Sequence, residues 1–522
     1  MRSDPIRASK TVRIRDLPLH PFLFAGYAVL FLYASNLADV LPSDVVGPLL
    51  LALTGAAVTV VSLTLMFRDP RRGALVASAL IVAFFAFGHA ATPLADLGLG
   101  LRTQLAAWTA VILLVAVAAW RTRRVTLSAT QALNIFAAVL TGLTLASIVP
   151  YELGRATRAV PPGVPQGTTS IVATRPGPAR DIYYLVFDRY GSAWSLDRNF
   201  GIVNEELPAW LEAQGFEVIA GARANYAATD LSLASTLNLR FLDELAEVAG
   251  RDTDDRTPAR DLLKRHEVGL FLRGQGYRYV HLGSWWEATA DNEIADEVVR
   301  YDERSEFASV LYDTTAMPYI EQALLGPRTS RVTLRDRHRD ISLYQLRELE
   351  RLKHQPGRKF VFAHILLPHP PHVFRSDGAP ISAADAARES VFDLAAGQLE
   401  YTNRRIRSLV TQLLDGPPSS HPIIVIQADE GPHVCELPGC PTERPDALGV
   451  RFGILGAYYL PGLDVELSAS HSSVNTFRLL FREYFGADLP PLPDRSYSSS
   501  RDRLYDFEDV TRLLPLPGSP RE

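Results

Sequence analysis

The sequence predicts two joined folds: an α-helical membrane domain of five transmembrane helices, then an α/β domain with a mostly parallel central sheet flanked by helices. Three observations predict it. Five long apolar runs all fall before residue 150. Beyond residue 180, short apolar runs of buried-strand length end in polar clusters. Between those runs lie amphipathic stretches with apolar residues at helical spacing. A chain of 522 residues exceeds one ordinary domain, and its overall 47% hydrophobic content averages two unlike halves.

The apolar runs cover residues 18–37, 46–67, 73–93, 103–120 and 128–149, each near the ~20 residues of helix that cross a bilayer. The basic segment before the first run has no small-residue cleavage site, so this run reads as a retained anchor. Arg2, Arg7, Lys10, Arg13 and Arg15 precede it; Arg68, Arg71 and Arg72 join runs two and three; Arg121, Arg123 and Arg124 join runs four and five. The intervening loops carry almost no positive charge. By the positive-inside rule the arginine-rich segments are cytoplasmic, and five spans deliver everything after residue 150 to the outer side. The expected location is a bacterial inner (cytoplasmic) membrane, multi-pass, with the C-terminal domain periplasmic or extracellular. His20 and His89 are the ionisable residues near or within the runs, and both read as interfacial or packed histidines. The scarcity of intramembrane charge argues against a channel or transporter. A net charge of −5 gives no reason to expect a nucleic-acid partner.

Residues 151–180, rich in Pro, Gly and Thr, read as a linker between a membrane domain of residues 1–150 and a domain of residues 181–500; residues 501–522 read as a tail. DIYYLVFDRYGS opens the second domain as a buried parallel strand that delivers Asp188 at its C-terminal end. KFVFAHILL (359–367) runs into PHPPH, and PIIVIQA (422–428) runs into Asp429 and Glu430. The helical stretches 341–352 and 398–414 complete a strand-helix-strand order, and ligands of such sheets bind at the carboxyl ends of the strands. Collected there, Asp188, Thr229, His364, His369, Asp429 and Glu430 offer carboxylates, imidazoles and a hydroxyl. That set suits a divalent cation that activates a nucleophilic hydroxyl and neutralises an anionic substrate.

The order of these motifs resembles the alkaline phosphatase/sulfatase superfamily: strand-Asp, a Thr followed by SLAS, H-x4-H-P-P, then Asp-X-Gly after a strand. The similarity spans roughly residues 180–500, and the five-span anchor with an external domain is similar in layout to bacterial phosphoethanolamine transferases and lipoteichoic acid synthases. The resemblance implies an alkaline-phosphatase-like fold. It implies Thr229 as a transiently esterified nucleophile that also meets the cation, with His364 and His369 contacting metal or substrate phosphate. It further implies Asp188 and Asp429 as metal carboxylates. Glu430 stands where the family's Asp-His-Gly motif has histidine. As a ligand it replaces nitrogen with oxygen and moves the preference among Mn, Mg, Ca and Zn away from zinc. His433 and His471 are two imidazoles that can take the missing place. Arg189, Tyr190 and Asn225 are the candidate substrate contacts, Arg189 because guanidinium binds phosphate or sulfate oxygens bidentately.

The expected function is therefore a membrane-anchored, metal-dependent hydrolase or transferase. Its substrate would be a phosphate or sulfate ester of a lipid-linked or envelope polymer, met at the lipid bilayer that holds the enzyme. The competing reading is a catalytically inactive sulfatase-fold ectodomain with a binding or scaffolding role, for which Glu430 is the support. Outside the cytoplasm, Cys435 and Cys440 read as a disulfide pair, since a C-x4-C metal site lacks its second pair here.

Overall fold

The computed structural model describes residues 17–121, 126–158, 171–325, 334–433 and 447–514. Two compact units emerge: Met1–Thr157 with Arg304–Leu334, and Arg158–Glu303 with Arg335–Glu522. Cys435 and Cys440 lie outside the described residues.

The first unit is helical: α1 (His20–Ala34), α2 (Pro42–Phe67), α3 (Pro70–Asp96), α4 (Leu101–Arg121) and α5 (Thr126–Arg158). Helices α2 to α5 are long and apolar enough to cross a membrane. Helix α1 is shorter than the expected run 18–37: its 15 residues extend about 22 Å, against a hydrocarbon core of ~30 Å. Its start is set where the Asn134 side chain accepts from the backbone N–H groups of Leu19 and His20. Its end is set where Ser35 and Asn36 side chains donate back to the carbonyls of Phe31 and Leu32. Helix α3 begins at a cap, Asp69 accepting from the N–H groups of Arg71 and Arg72, with Pro70 in its first turn.

Two differences from the sequence reading have physical causes. Helix α5 runs on through residues 151–158, the start of the stretch read as linker. Glu152 accepts from the Tyr33 hydroxyl, and Arg155 donates to the carbonyls of Leu37 and Val40, so tertiary bonds hold this last turn. Residues 304–334, read as part of the soluble half, belong to the helical unit. Their helices Glu306–Thr314 and Met317–Leu325 bury Phe307 and Leu311 with Val29, Tyr33 and Val45, and Tyr319 with Phe87. The approach is backbone to backbone: Ala316 N–H donates to Phe84 O, and a Cβ on Gly88 would sit 2.4 Å from Asp313 O.

The second unit is an α/β fold on a seven-stranded mixed sheet. Its strands are β1 (Ile182–Phe187), β2 (Glu217–Val218), β3 (Arg278–Leu282), β4 (Glu297–Val299), β5 (Lys359–Ile365), β6 (Ile423–Gln427) and β7 (Gly456–Tyr459). The spatial order is β2-β7-β6-β1-β5-β3-β4, with the five strands from β6 to β4 parallel, β7 antiparallel to β6, and the edge strand β2 antiparallel to β7. Every residue of β1, β5 and β6 is buried, which requires cover on both faces of the sheet and explains their unbroken apolar sequences. The stretch read as a tail also joins this core as far as Leu514: Tyr505 is fully buried and its hydroxyl donates to Asp255 O.

Candidate active site

Register alone brings the key side chains to one face of the sheet. Val186 of β1 pairs with His364 of β5 on one side and with Gln427 of β6 on the other. Side chains alternate along a strand, so Asp188 and Asp429, each two residues beyond that level, share the face of His364. Asp188, His364 and Asp429 are all buried, and one ligand atom from each lies within 4.8 Å of the others. His364 Nε2 stands 3.4 Å from Asp188 Oδ2.

Backbone and neighbouring side chains fix each of the three. Asp188 N–H continues the β1 ladder by donating to Ile365 O. Arg189 then takes the left-handed region, φ 57°, and its N–H donates to Asp429 Oδ1. His364 Nδ1 is bonded to Thr289 Oγ1 at 2.9 Å, and Thr289 is bonded to Ser284. In the tautomer whose Nδ1–H donates to Thr289, the lone pair of Nε2 faces the carboxylates. Gly431 allows the turn after Asp429, because a Cβ there would meet Val450 O at 2.2 Å.

Thr229 begins the helix Thr229–Leu237 at the positive end of the helix dipole, near enough to Asp429 to help lower its carboxyl against the burial that raises it. Ser232, one turn on, donates to Asp429 O at 2.6 Å and clamps this helix to the end of β6.

The electrostatics show charge crowding. Burial works against ionisation of Asp188, but His369, His364 and Arg189 outweigh it and hold its carboxyl below the usual range. Asp429 is pushed up by burial and by the neighbouring carboxylates Asp188 and Glu430. A cation held by these residues would relieve that repulsion. The residues fit one: Asp188 Oδ1, His364 Nε2 and Asp429 Oδ2 are buried without a hydrogen-bond partner among the described residues. Two carboxylates and one imidazole are ordinary donors for a divalent metal.

The other candidate residues fall into three positions. His369 borders the group, close enough to Asp188 to act on its charge, and with Arg189, His372, Pro432 and His433 it lines a cleft of about 40 Å³. Glu430 is turned to cations: Arg189 Nε lies 3.2 Å and His433 Nε2 2.9 Å from its Oε1. Burial would raise its carboxyl, but His433, Arg189 and Arg451 draw it down to about 2. The expectation of His433 as a replacement imidazole meets a histidine bonded to Glu430, while the imidazole among the three grouped ligands comes from His364. His471 lies apart, edge-on to Tyr458 with its charge environment set by Asp494 and Arg482.

Two expected substrate contacts are otherwise occupied. Tyr190 is fully buried, its hydroxyl donating to Asn403 and accepting from Asn204. Asn225 is fully buried and spans two backbone segments, accepting from Val474 N–H and donating to Arg495 O. Thr289 and Gln345, which donates to His364 O, were invisible in the sequence, and Ser232 stood inside the SLAS motif without a role, since each acts from an element whose pairing no local pattern reveals. Thr289→Val is expected to keep the fold and to weaken metal affinity by about 10- to 100-fold, read by titrating metal into the chelator-treated protein.

These features define an α/β protein with a buried Asp-His-Asp group at the carboxyl ends of three adjacent parallel strands. No known family profile matches the chain, and no curated protein matches it. Among solved structures it is similar to the C-terminal periplasmic domain of EcEptC from Escherichia coli, at 12% identity and TM-score 0.44, over 66% of this chain and 96% of that one. It is also similar to the phosphonate monoester hydrolase of Agrobacterium radiobacter, at 13% and 0.38, over 60% and 75%. A third is the soluble domain of lipooligosaccharide phosphoethanolamine transferase A from Neisseria meningitidis, at 14% and 0.35, over 66% and 93%.

Proposed function

We propose that this chain is a membrane-anchored, metal-dependent enzyme of alkaline phosphatase/sulfatase type, acting on phosphate or sulfate esters of an envelope or lipid-linked substrate. The observation that carries the reading is the convergence of Asp188, His364 and Asp429 beside the hydroxyl of Thr229. Asp188, His364 and Asp429 would hold the cation, which when bound supplies positive charge that neutralises the ester and favours the alkoxide of the nucleophile. Thr229 is the nucleophile: its Oγ attacks phosphorus or sulfur, the ester oxygen leaves, and the group rests on Thr229 until water or another hydroxyl accepts it. Asp429, beside Thr229, orients the attacking oxygen. Arg189 and His369 border the reacting position and favour an anionic substrate.

The anchor is proposed to cross the membrane five times, α1 included, with the catalytic unit outside. Arginines at the alternate ends of the helices support this orientation.

The test uses the full chain in detergent, stripped with chelator and resupplied with Mn, Mg, Ca or Zn. Wild type is expected to cleave an activated phosphate or sulfate monoester with at least one of them, and Thr229→Ala to lose at least about 10³-fold while keeping the metal. Wild type that binds no metal and cleaves no ester would instead favour a scaffolding role.

A further inference from the structure

Residues 304–334 leave the α/β unit between β4 and β5 and rejoin it at a stem that Arg337 closes by pairing with Asp302 at 2.6 Å. Between those points the chain packs on α3 and α4, and its depth can be counted along each. On α3, Phe84 and Gly88 lie 12 and 16 residues beyond Arg72, about 18 and 24 Å of helix. Ala316 N–H donates to Phe84 O, and the carbonyls of Asp313 and Thr314 leave no room for a Cβ on Gly88. Tyr319 meets Phe87 ring to ring at 4.9 Å, and Trp108 of α4 joins that cluster. Trp108 lies 13 residues before Arg121, about 20 Å of helix. Both counts start at arginines read as cytoplasmic, and both stop short of the ~30 Å hydrocarbon core; helix tilt only lowers the height reached.

The joint between the helices Glu306–Thr314 and Met317–Leu325 meets the demand that hydrocarbon makes of a backbone, which is that every donor be satisfied within the protein. Thr315 N–H donates to Tyr312 O, Ala316 N–H to Phe84 O, and Met317 N–H to the Thr315 hydroxyl, which itself donates to Tyr312 O. None of these three donors is left to water. The acidic groups are also bonded within the segment: Glu321 accepts from the Tyr312 hydroxyl and Asp313 from Leu334 N–H. One face of the second helix is spent on α3 and α4 through Tyr319. The opposite face presents an apolar stripe, Met317, Ile320 and Leu324 at positions i, i+3 and i+7, which are 43%, 36% and 78% exposed.

We propose that residues 306–325 are a re-entrant helical pair seated in the outer leaflet, with Met317, Ile320 and Leu324 facing the acyl chains of the bilayer. A stripe at the counted depth meets hydrocarbon unless protein covers it, and its exposure shows that no described residue does. The inference rests on α3 and α4 spanning the bilayer and is independent of the ester chemistry. It adds to the five spans a further membrane contact, one that comes from within the half of the sequence read as external.

The experiment places nitroxide spin labels on the full chain, reconstituted in phosphatidylcholine/phosphatidylglycerol vesicles, in a Cys435→Ser/Cys440→Ser background. Collision rates with oxygen, which concentrates in hydrocarbon, are compared with those of a water-soluble nickel chelate. The labelled sites are Ile320→Cys and Leu324→Cys, with Val58→Cys on α2 as the control within a span and Val172→Cys as the control in the other unit; these two are 62% and 64% exposed. At Ile320 and Leu324 the oxygen-to-nickel ratio is expected to match Val58 and to exceed Val172 at least about tenfold, equivalent to about 1.4 kcal/mol of partitioning. Either labelled site that folds suffices. A ratio like that of Val172 places the stripe in water and overturns the proposal. Collisions with neither reagent, or spin–spin broadening between copies, means that protein covers the stripe and also overturns it. Nickel access at Val58 as well would overturn the membrane reading beneath it, whereas lost ester cleavage with the ratios intact would overturn the catalytic reading alone.

Discussion

Asp188→Asn is expected to abolish metal retention and to lower ester cleavage by at least about 10³-fold, the equivalent of about 4 kcal/mol of transition-state stabilisation. Asp188 is the carboxylate held in its charged form by His369, His364 and Arg189, and it is fixed to β5 through its own N–H. The amide keeps the size and loses the charge, so the backbone is expected to stay in place and the loss to fall on the cation. Metal content after dialysis and initial rates at saturating metal check both parts. Retention in the wild type is expected to fall as the pH drops, because protons compete with the cation for Asp429, whose carboxyl burial, Asp188 and Glu430 push up. An Asp188→Asn protein that keeps its metal would remove β1 from the site.

Glu430→Ala is expected to cost about 3 kcal/mol of stability while leaving metal content unchanged, because breaking a buried ion pair leaves its partners uncompensated. Glu430 is 1% exposed and bonded to Arg189 and His433, whose side chains are 13% and 11% exposed. The linkage has a definite sign. A carboxyl lowered from its ordinary 4.5 to about 2 contributes stability that is complete above about 4.5 and is lost as pH falls toward about 2. The wild-type advantage over the alanine variant therefore shrinks in acid. Thermal unfolding across that window measures it. Loss of metal in Glu430→Ala would return the residue to the ligand role that its place after Asp429 suggests.

The sequence carried the strand-end chemistry unusually well. An apolar strand run followed by a carboxylate located Asp188 and Asp429, and the parity of β5 against β1 explains why His364 joins them. What it withheld follows from physics that local patterns do not encode. The role of Glu430 depends on Arg189, 241 residues away, reaching it from a left-handed turn. Asn225 and Tyr190 resemble ligand contacts by position, yet their polar ends are spent on buried neighbours. Residues 304–334 have the amphipathic pattern of any surface helix, and only Gly88 and Phe84 on α3 reveal where that apolar face goes. The same limit applied to α5, whose final turn rests on Arg155 rather than on helical propensity.

The central claim is that Thr229 carries the transferred group beside a cation held by Asp188, His364 and Asp429. Its most direct test is to mix the metal-loaded full chain with an activated phosphate monoester, quench in acid within the first turnovers and sequence the peptides by mass spectrometry. Phosphate on Thr229, absent after chelation, is the expected result. Ester cleavage with no modification of Thr229, or with the phosphate on another residue, would contradict it.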